Sequence, residues 1–166
     1  MLLSMTTLPA GEFFVELFCG EAAATAAVIL QQVPVLCPWD IRFGNRFDIT
    51  SNGAVLLELI HMGYVAAVHM GTPCQSCTLA RSPQVRSLEY PEGIPGLQGI
   101  DASLVEMGNR LIQWTFYIAW ALYLNGAFFG IEPVAVFLAD PPFGEGAVSA
   151  WRCDHHNLVD ECSWRL

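Results

Sequence analysis

The chain has 166 residues, of which 54% are apolar and 14% are charged, which suits one domain with a buried core and argues against disorder. Sixteen acidic residues against seven arginines and no lysine give a net charge of −9. Because proteins that bind nucleic acid on their own normally carry a basic face, this balance argues against strong autonomous DNA binding. Six cysteines in an apolar chain, with no evident signal peptide, favour reduced thiols and an intracellular location.

Apolar runs alternate along the chain with stretches that have helix-capping residues at their starts. The predicted elements are, in chain order, strand 13–18, helix 21–32, strand 33–36, helix 51–62 capped by Ser51 or Asn52, strand 65–70, helix 101–124 capped by Asp101 or Ser103, and strand 127–131. This alternation implies right-handed crossovers and a mostly parallel sheet with helices on both faces. A long loop is predicted over 71–100. The domain organisation that follows is an N-terminal tail over 1–12, a core over 13–138 and an irregular tail over 139–166.

Residues 111–131 contain no charged side chain, and a stretch of 21 residues is long enough to cross a bilayer as a helix. The stretch also contains Gln113, Thr115 and the pair Asn125-Gly126, which is typical of a helix end. A buried helix followed by a strand explains the stretch without a membrane. A membrane span is the weaker alternative.

The segment Gly71-Thr72-Pro73-Cys74-Gln75-Ser76 directly follows the apolar run 64–70. Such a run predicts a buried parallel strand, and Pro73-Cys74 then lies in the loop at its carboxyl end. Ligands of open α/β sheets bind at that edge. Cys74 is therefore a candidate nucleophile, redox thiol or metal ligand, or else a small side chain packed in the fold.

The first predicted strand ends in a glycine turn and a helix N-terminus, in the segment Phe14-Val15-Glu16-Leu17-Phe18-Cys19-Gly20. Such a turn suits the polar end of a nucleotide-like ligand. Asp40 follows about twenty residues later, where a carboxylate can accept hydrogen bonds from ribose hydroxyls. Trp39 offers a flat face to an adenine ring. A core tryptophan beside a capping aspartate is the alternative interpretation.

Taken in order, these segments resemble the motifs of the cytosine-5 DNA methyltransferase family over roughly residues 13–138. The matching segments are Phe14 to Gly20, Trp39-Asp40, Asp48-Ile49-Thr50, the Pro73-Cys74-Gln75 loop, and Glu132-Pro133-Val134, which resembles the family's Glu-Asn-Val motif with Pro133 in place of Asn. The resemblance implies a Rossmann-like, S-adenosylmethionine-dependent methyltransferase core whose C-terminal strands are missing.

The resemblance also implies a role for individual residues. Cys74 is expected to add to C6 of cytosine as a thiolate, and Glu132 to hydrogen-bond the N3 edge of the ring. S-adenosylmethionine is expected to contact Phe18, Gly20, Trp39, Asp40, Asp48, Ile49, Pro73 and Asn109. DNA is expected to contact Gln75, Ser76, Arg81 and Arg86. The substrate is expected to be double-stranded DNA with its cytosine flipped out, because C5 is inaccessible inside a duplex.

The chain departs from the family at several positions. Ala22 and Ala23 stand where the first motif has further glycines, Pro38 stands in place of the usual ribose-binding acid, and Cys77 replaces a Phe. Gly108-Asn109, which resembles the Gly-Asn of the family's last motif, precedes Glu132 out of the usual order. A Gln-x-Arg-x-Arg motif and a target-recognition region are absent from the sequence. A protein partner that supplies target recognition is the corresponding expectation.

Three other interpretations stay open. The first is a non-catalytic remnant of a methyltransferase that binds a nucleotide-type ligand or a partner. The second is a redox pair formed by Cys74 and Cys77. The third is a zinc site that combines these thiols with Cys153, His155, His156 or Cys162. An active enzyme is expected in the nucleus of a eukaryote, or in the cytoplasm if the protein is bacterial or viral.

Overall fold

A computed structural model describes Gly11 and residues 13–73, 75–77 and 81–132. Its elements are, in chain order, strand β1 (Phe13–Leu17), helix α1 (Ala23–Leu30), the 3-10 turns Ile41–Phe43 and Asn45–Phe47, helix α2 (Ile49–His61), strand β2 (Val65–Met70), helix α3 (Gly99–Leu124) and strand β3 (Phe128–Ile131). The described strands form one parallel sheet in the order β1-β2-β3. An α/β fold with a parallel sheet, as predicted, is therefore confirmed.

The hydrophobic core lies on one face of this sheet. The register places Val15 of β1 opposite Val68 of β2, and Leu17 opposite Met70, so all four side chains share that face. Each of the four is at most 2% exposed. The buried apolar side chains of α2 and α3 that join them are Ile49, Leu56, Ile60, Ile118, Ala119, Ala121 and Leu122.

Helices α2 and α3 pack closely where Gly53 meets the ring of Trp114. A Cβ on Gly53 would lie 2.5 Å from Cζ3 of Trp114, well inside van der Waals contact. Only glycine therefore allows α2 to approach α3 at this point.

The opposite face of the sheet carries polar side chains. Glu16 of β1, His69 of β2 and Gly130 of β3 are in register there. Glu16 is 5% exposed, and its Oε2 accepts hydrogen bonds of 2.6 Å from both N and Oγ1 of Thr25 in α1. These two donors satisfy the buried carboxylate and fix the start of α1 against β1.

The predicted strand 33–36 is reduced to an extended segment beside β1. Val35 makes a single bridge to Phe14, and Trp39 makes one to Leu17. Pro34 and Pro38 have no N–H to donate, so they interrupt the ladder that a regular strand would form. The carboxyl end of this segment still delivers Asp40 to the end of β1.

Both predicted caps were placed a few residues too late. Helix α2 begins at Ile49 with Asp48 as its N-cap, instead of Ser51 or Asn52. Helix α3 begins at Gly99, and Asp101 lies in its first turn without capping it. The predicted end of α3 at Leu124 is confirmed, with Gly126 at φ 67° directly after it. Among the described residues, none of the helices is both long enough and apolar enough to cross a membrane.

Asp48 provides a test of the α2 cap. Its carboxylate accepts hydrogen bonds from Thr50 N at 2.9 Å, Thr50 Oγ1 at 2.8 Å and Ser51 Oγ at 2.9 Å. Burial opposes ionisation of this carboxyl, but the hydrogen bonds from Thr50 and Ser51 outweigh burial and lower the pKa of Asp48. We expect Asp48→Ala to lower the free energy of unfolding by about 1 kcal/mol at pH 7.

The pH dependence of this effect follows from the lowered pKa. A depressed folded-state pKa stabilises the fold above the unfolded pKa of about 3.9, and this contribution is lost as the pH falls through the folded value. Urea unfolding should therefore show a difference between wild type and Asp48→Ala that narrows below about pH 4. Asp48→Asn is the matched control, because it keeps the cap without titrating. A difference that widens in acid would contradict the assignment.

Candidate active site

Three loops leave the sheet at the same edge, because all three strands are parallel. The N–H of Gly71 donates to the carbonyl of Leu17 at 3.0 Å, and the N–H of Glu132 donates to the carbonyl of Met70 at 3.0 Å. The sheet ladder thus continues one residue beyond β2 and β3. Phe18, Gly71 and Glu132 lie side by side at the carboxyl edge, where α/β folds bind ligands.

The carboxylate of Glu132 lies across the exit of β2. Its Oε1 is 3.3 Å from Nε2 of His69. A Cβ on Gly71 would be 3.5 Å from Oε2 of Glu132 and 3.3 Å from the carbonyl oxygen of Phe18. The Glu132 side chain is 65% exposed and so remains accessible to a ligand. Gly71 precedes Cys74 by three residues; Cys74 itself lies outside the described residues, between Pro73 and Gln75, which are described.

The turn after β1 has an unusual backbone. Phe18, Gly20 and Ala22 have φ values of 56°, 52° and 55°, and two of these residues are not glycine. Left-handed conformations of non-glycine residues are costly and cluster at functional sites. Asp40 fixes the turn, since its Oδ2 accepts from Gly20 N at 3.0 Å and its Oδ1 from Arg42 N at 2.9 Å.

The electrostatic field at this turn is negative. The pKa of Cys19 is raised to about 11, first by burial and then by the charges of Asp40 and Glu16. Such a field stabilises a cationic ligand and disfavours a thiolate on Cys19. The turn is therefore suited to binding positive charge, and Cys19 is a poor nucleophile at neutral pH.

Trp39, Asp48 and Ile49 have structural roles in place of the expected contacts with a cofactor. Trp39 is 8% exposed and packs edge-on against Phe47, with 6.1 Å between ring centroids, so its faces belong to the core. Both carboxylate oxygens of Asp48 accept hydrogen bonds in the α2 cap. Ile49 is 4% exposed within the hydrophobic cluster.

Arg86 was expected to contact DNA, but the structure places it inside the protein. It is 5% exposed, and its guanidinium donates to the carbonyls of Ser76, Pro91 and Val105. It also donates to Ser76 Oγ at 3.0 Å and to Asn109 Oδ1 at 2.7 Å. Because every nitrogen of the guanidinium is engaged, Arg86 has no N–H left for a phosphate in this arrangement.

Asn109 belongs to the same network and was expected to contact the cofactor. Its Oδ1 accepts from Arg86, and its Nδ2 donates to the carbonyl of Glu92 at 2.9 Å. Ser76 is 4% exposed beneath the guanidinium. These residues connect the loop after β2 with α3, so they anchor the part of that loop at Ser76.

The rest of the loop after β2 is anchored in a similar way. Thr72 Oγ1 lies 2.9 Å from Thr115 Oγ1 of α3, which holds the residue before Pro73. Arg81 is paired with Asp101 in the first turn of α3, while its buried Nε has no partner among the described residues. Gln75 is exposed. Of the residues expected to contact DNA, Gln75 is the one that projects to solvent.

The sequence analysis missed His69 as a residue of the site. An isolated His in an otherwise apolar strand was the available signal, but only the register of β2 and β3 shows that it meets Glu132. Gly108 was singled out only as part of the Gly108-Asn109 pair, and its packing role was not predicted. A Cβ there would overlap Ser76 Oγ and lie 3.0 Å from Arg86 Nη2, so this glycine lets the loop lie against α3.

The described residues provide no support for the redox pair or for the zinc site. Cys77 is 3% exposed, 3.7 Å from Ser76 Oγ, which describes a packed small side chain. The part of the chain that the structure describes holds no group of three residues suited to bind a metal. Cys153, His155, His156 and Cys162 lie outside the described residues.

Gly108 provides a test of how the loop is supported. We expect Gly108→Ala to lower the free energy of unfolding by about 1–3 kcal/mol. The new methyl group displaces Ser76 and Arg86, and the cost of that displacement exceeds the gain in helix propensity from glycine to alanine. The double variant Gly108→Ala/Ser76→Ala should recover part of that loss, since the Ser76 Cβ lies at an ordinary 3.5 Å. Denaturant unfolding of the four-member cycle measures the coupling. Strictly additive effects would contradict the contact.

No family model, curated protein or solved structure matches this chain.

Proposed function

We propose that the chain forms a Rossmann-like core that transfers a methyl group from S-adenosylmethionine to C5 of cytosine in DNA. The observation that carries the proposal is the position of the Glu132 carboxylate, which lies against Gly71, three residues before Cys74. These residues are 61 positions apart in the sequence, and the pairing of β2 with β3 brings them to one edge. A nucleophile and a carboxyl group at adjacent strand ends are what this reaction requires.

In the proposed reaction, the thiolate of Cys74 adds to C6 of a flipped-out cytosine. A hydrogen bond between the carboxyl group of Glu132 and N3 favours addition, because negative charge develops on the ring. C5 becomes nucleophilic and accepts the methyl group. Solvent then takes up the C5 proton, and the C6–S bond breaks with its electron pair left on sulfur, which restores the aromatic ring and the Cys74 thiolate.

The turn after β1 fits the cofactor on two grounds. S-adenosylmethionine supplies an electrophilic methyl group on a positively charged sulfur, and the negative field of Glu16 and Asp40 favours a cation there. Each carboxylate oxygen of Asp40 accepts one hydrogen bond from the backbone, which leaves lone pairs free for ribose hydroxyls. Gly20 faces open space apart from Arg42 Nη1, 3.8 Å from where its Cβ would be.

A second candidate function is a non-catalytic core that binds a nucleotide-type ligand or a protein. The observation that favours it is the internal use of Arg81 and Arg86 in a chain of net charge −9. With these two arginines committed, binding of double-stranded DNA by the chain alone is expected to be weak. An active enzyme would then require a partner protein that supplies recognition of the target.

Two measurements separate these functions. Calorimetric titration with S-adenosylmethionine tests the cofactor site, and transfer of a labelled methyl group to cytosine-containing DNA tests catalysis. Binding together with transfer supports the enzyme. Binding without transfer selects the non-catalytic core, whereas absence of cofactor binding overturns both the enzyme and a core that binds this cofactor.

A further inference from the structure

His69 is placed to hold the catalytic carboxyl group of the proposed reaction. It lies next to the last residue of β2, and its Nε2 is 3.3 Å from Oε1 of Glu132. The imidazole is 31% exposed, whereas Glu132 is 65% exposed. The more buried ring therefore lies in position to restrain the more exposed carboxyl group at the carboxyl ends of the strands.

The surroundings of His69 leave it one polar partner among the described residues. Its neighbour on β3 is Gly130, where a Cβ would lie 3.5 Å from Nδ1, so a larger side chain there would displace the ring. The charged group on its β1 side is Glu16, whose Oε2 is already bound by Thr25. Helix α1, which covers this face at β1, contains no charged residue. Glu132 is thus the group that His69 can orient.

We infer that His69 is a positioning residue, which donates its Nε2–H to Oε1 of Glu132 and leaves Oε2 to face the substrate. This inference rests on the proposed function. Oε2 is the oxygen that lies against Gly71, on the side of the loop that carries Cys74. A carboxyl group held in this way is already oriented to hydrogen-bond N3 of cytosine and does not have to search rotamers.

The restraint matters because an exposed glutamate otherwise samples several rotamers. A hydrogen bond of ordinary strength changes such a population by about tenfold. Substitutions of His69 should therefore alter the rate of the chemical step and leave cofactor binding unchanged, since His69 is on β2 and the cofactor turn follows β1. This separation distinguishes positioning from general damage to the fold.

Two variants of His69 test the inference. His69→Gln keeps an N–H donor near the place of Nε2, whereas His69→Phe keeps a ring but has no donor. We expect His69→Phe to lower kcat for methyl transfer about tenfold. We expect His69→Gln to stay within about threefold of wild type, with KM for S-adenosylmethionine unchanged in both. Long-range ¹⁵N–¹H correlation should find the Nε2–H tautomer of His69 in wild type and a loss of that preference in Glu132→Ala.

Each outcome decides the inference. A rate for His69→Phe equal to that of an active wild type overturns it and leaves the proposed function intact. An equal loss of kcat in His69→Phe and His69→Gln, or a rise in KM for the cofactor, also overturns it. Either result would show that the N–H donor at residue 69 does not determine the rate. A wild type that binds the cofactor but transfers no methyl group overturns the proposed function, and the positioning role with it.

Discussion

Replacement of Cys74 by alanine is expected to abolish methyl transfer while cofactor binding stays unchanged. Without the thiolate, C5 of cytosine cannot be activated, so the rate should fall on the order of 10⁴-fold or more. The cofactor turn follows β1, whereas Cys74 follows β2, so the affinity for S-adenosylmethionine should be preserved. Transfer of a labelled methyl group and calorimetry on the same preparation measure the two effects.

A covalent trap makes the assignment direct. DNA that contains 5-fluorocytosine cannot complete the elimination, so wild type should form a stable adduct. The matched control is Cys19→Ala, because Cys19 is a thiol at the same sheet edge. With a pKa of about 11, roughly one Cys19 thiol in a thousand is ionised at pH 8, so loss of Cys19 should not prevent trapping. An adduct that persists in Cys74→Ala would refute the role of Cys74.

The elements with strong local signals could be predicted from the sequence. The apolar run 65–70 is β2, and the Asn125-Gly126 pair ends α3 at Leu124. Glycine adopts the left-handed conformation after a helix without strain, as Gly126 does here. The end of α3 can therefore be predicted from the sequence without tertiary information. The sequence also places Glu132 directly after the predicted strand 127–131, and the structure pairs that strand, β3, with β2.

The elements that depend on distant partners could not be predicted. The segment 33–36 contains apolar residues typical of a strand, but Pro34 and Pro38 limit it to two isolated bridges. Asp48 is the N-cap of α2 in place of Ser51, because its carboxylate accepts three hydrogen bonds from Thr50 and Ser51 at once. Such competition between neighbouring capping residues is decided by geometry that the sequence does not display.

The same limit explains why Arg86 was misplaced. An arginine in a long polar loop is usually solvated, and in a nucleic-acid enzyme it suggests a phosphate contact. Its acceptors are one serine, two other backbone carbonyls and an asparagine, which come from positions 76 to 109 and converge only in the folded chain. The missing signal was therefore tertiary, and the true role of Arg86 is to hold the loop that supports Pro73 and Gln75.

Replacement of Arg86 by leucine is accordingly expected to cause a large loss of stability. The change leaves the buried acceptors Ser76 O, Ser76 Oγ and Val105 O without their donor, together with the partly buried Pro91 O and Asn109 Oδ1. Hydrogen bonds to a charged group are each worth about 1.5–3 kcal/mol, so the free energy of unfolding should fall by about 3 kcal/mol or more. Arg86→Lys should recover little, since one ammonium cannot reproduce the planar fork that reaches both the loop and α3. Denaturant unfolding measures both variants.

Arg110→Leu is the matched control, because Arg110 pairs with Glu106 on the exposed surface of α3. Its loss should change the free energy of unfolding by no more than about 0.5 kcal/mol. If Arg86 instead contacted a phosphate, the opposite results would be expected for Arg86→Leu. Its DNA binding would weaken, the salt dependence of that binding would fall, and its stability would match that of Arg110→Leu. That result would contradict the buried network. A loss of stability that exceeds the control shows instead that the chain uses this arginine to build the loop after β2, because the guanidinium spans the gap between that loop and α3.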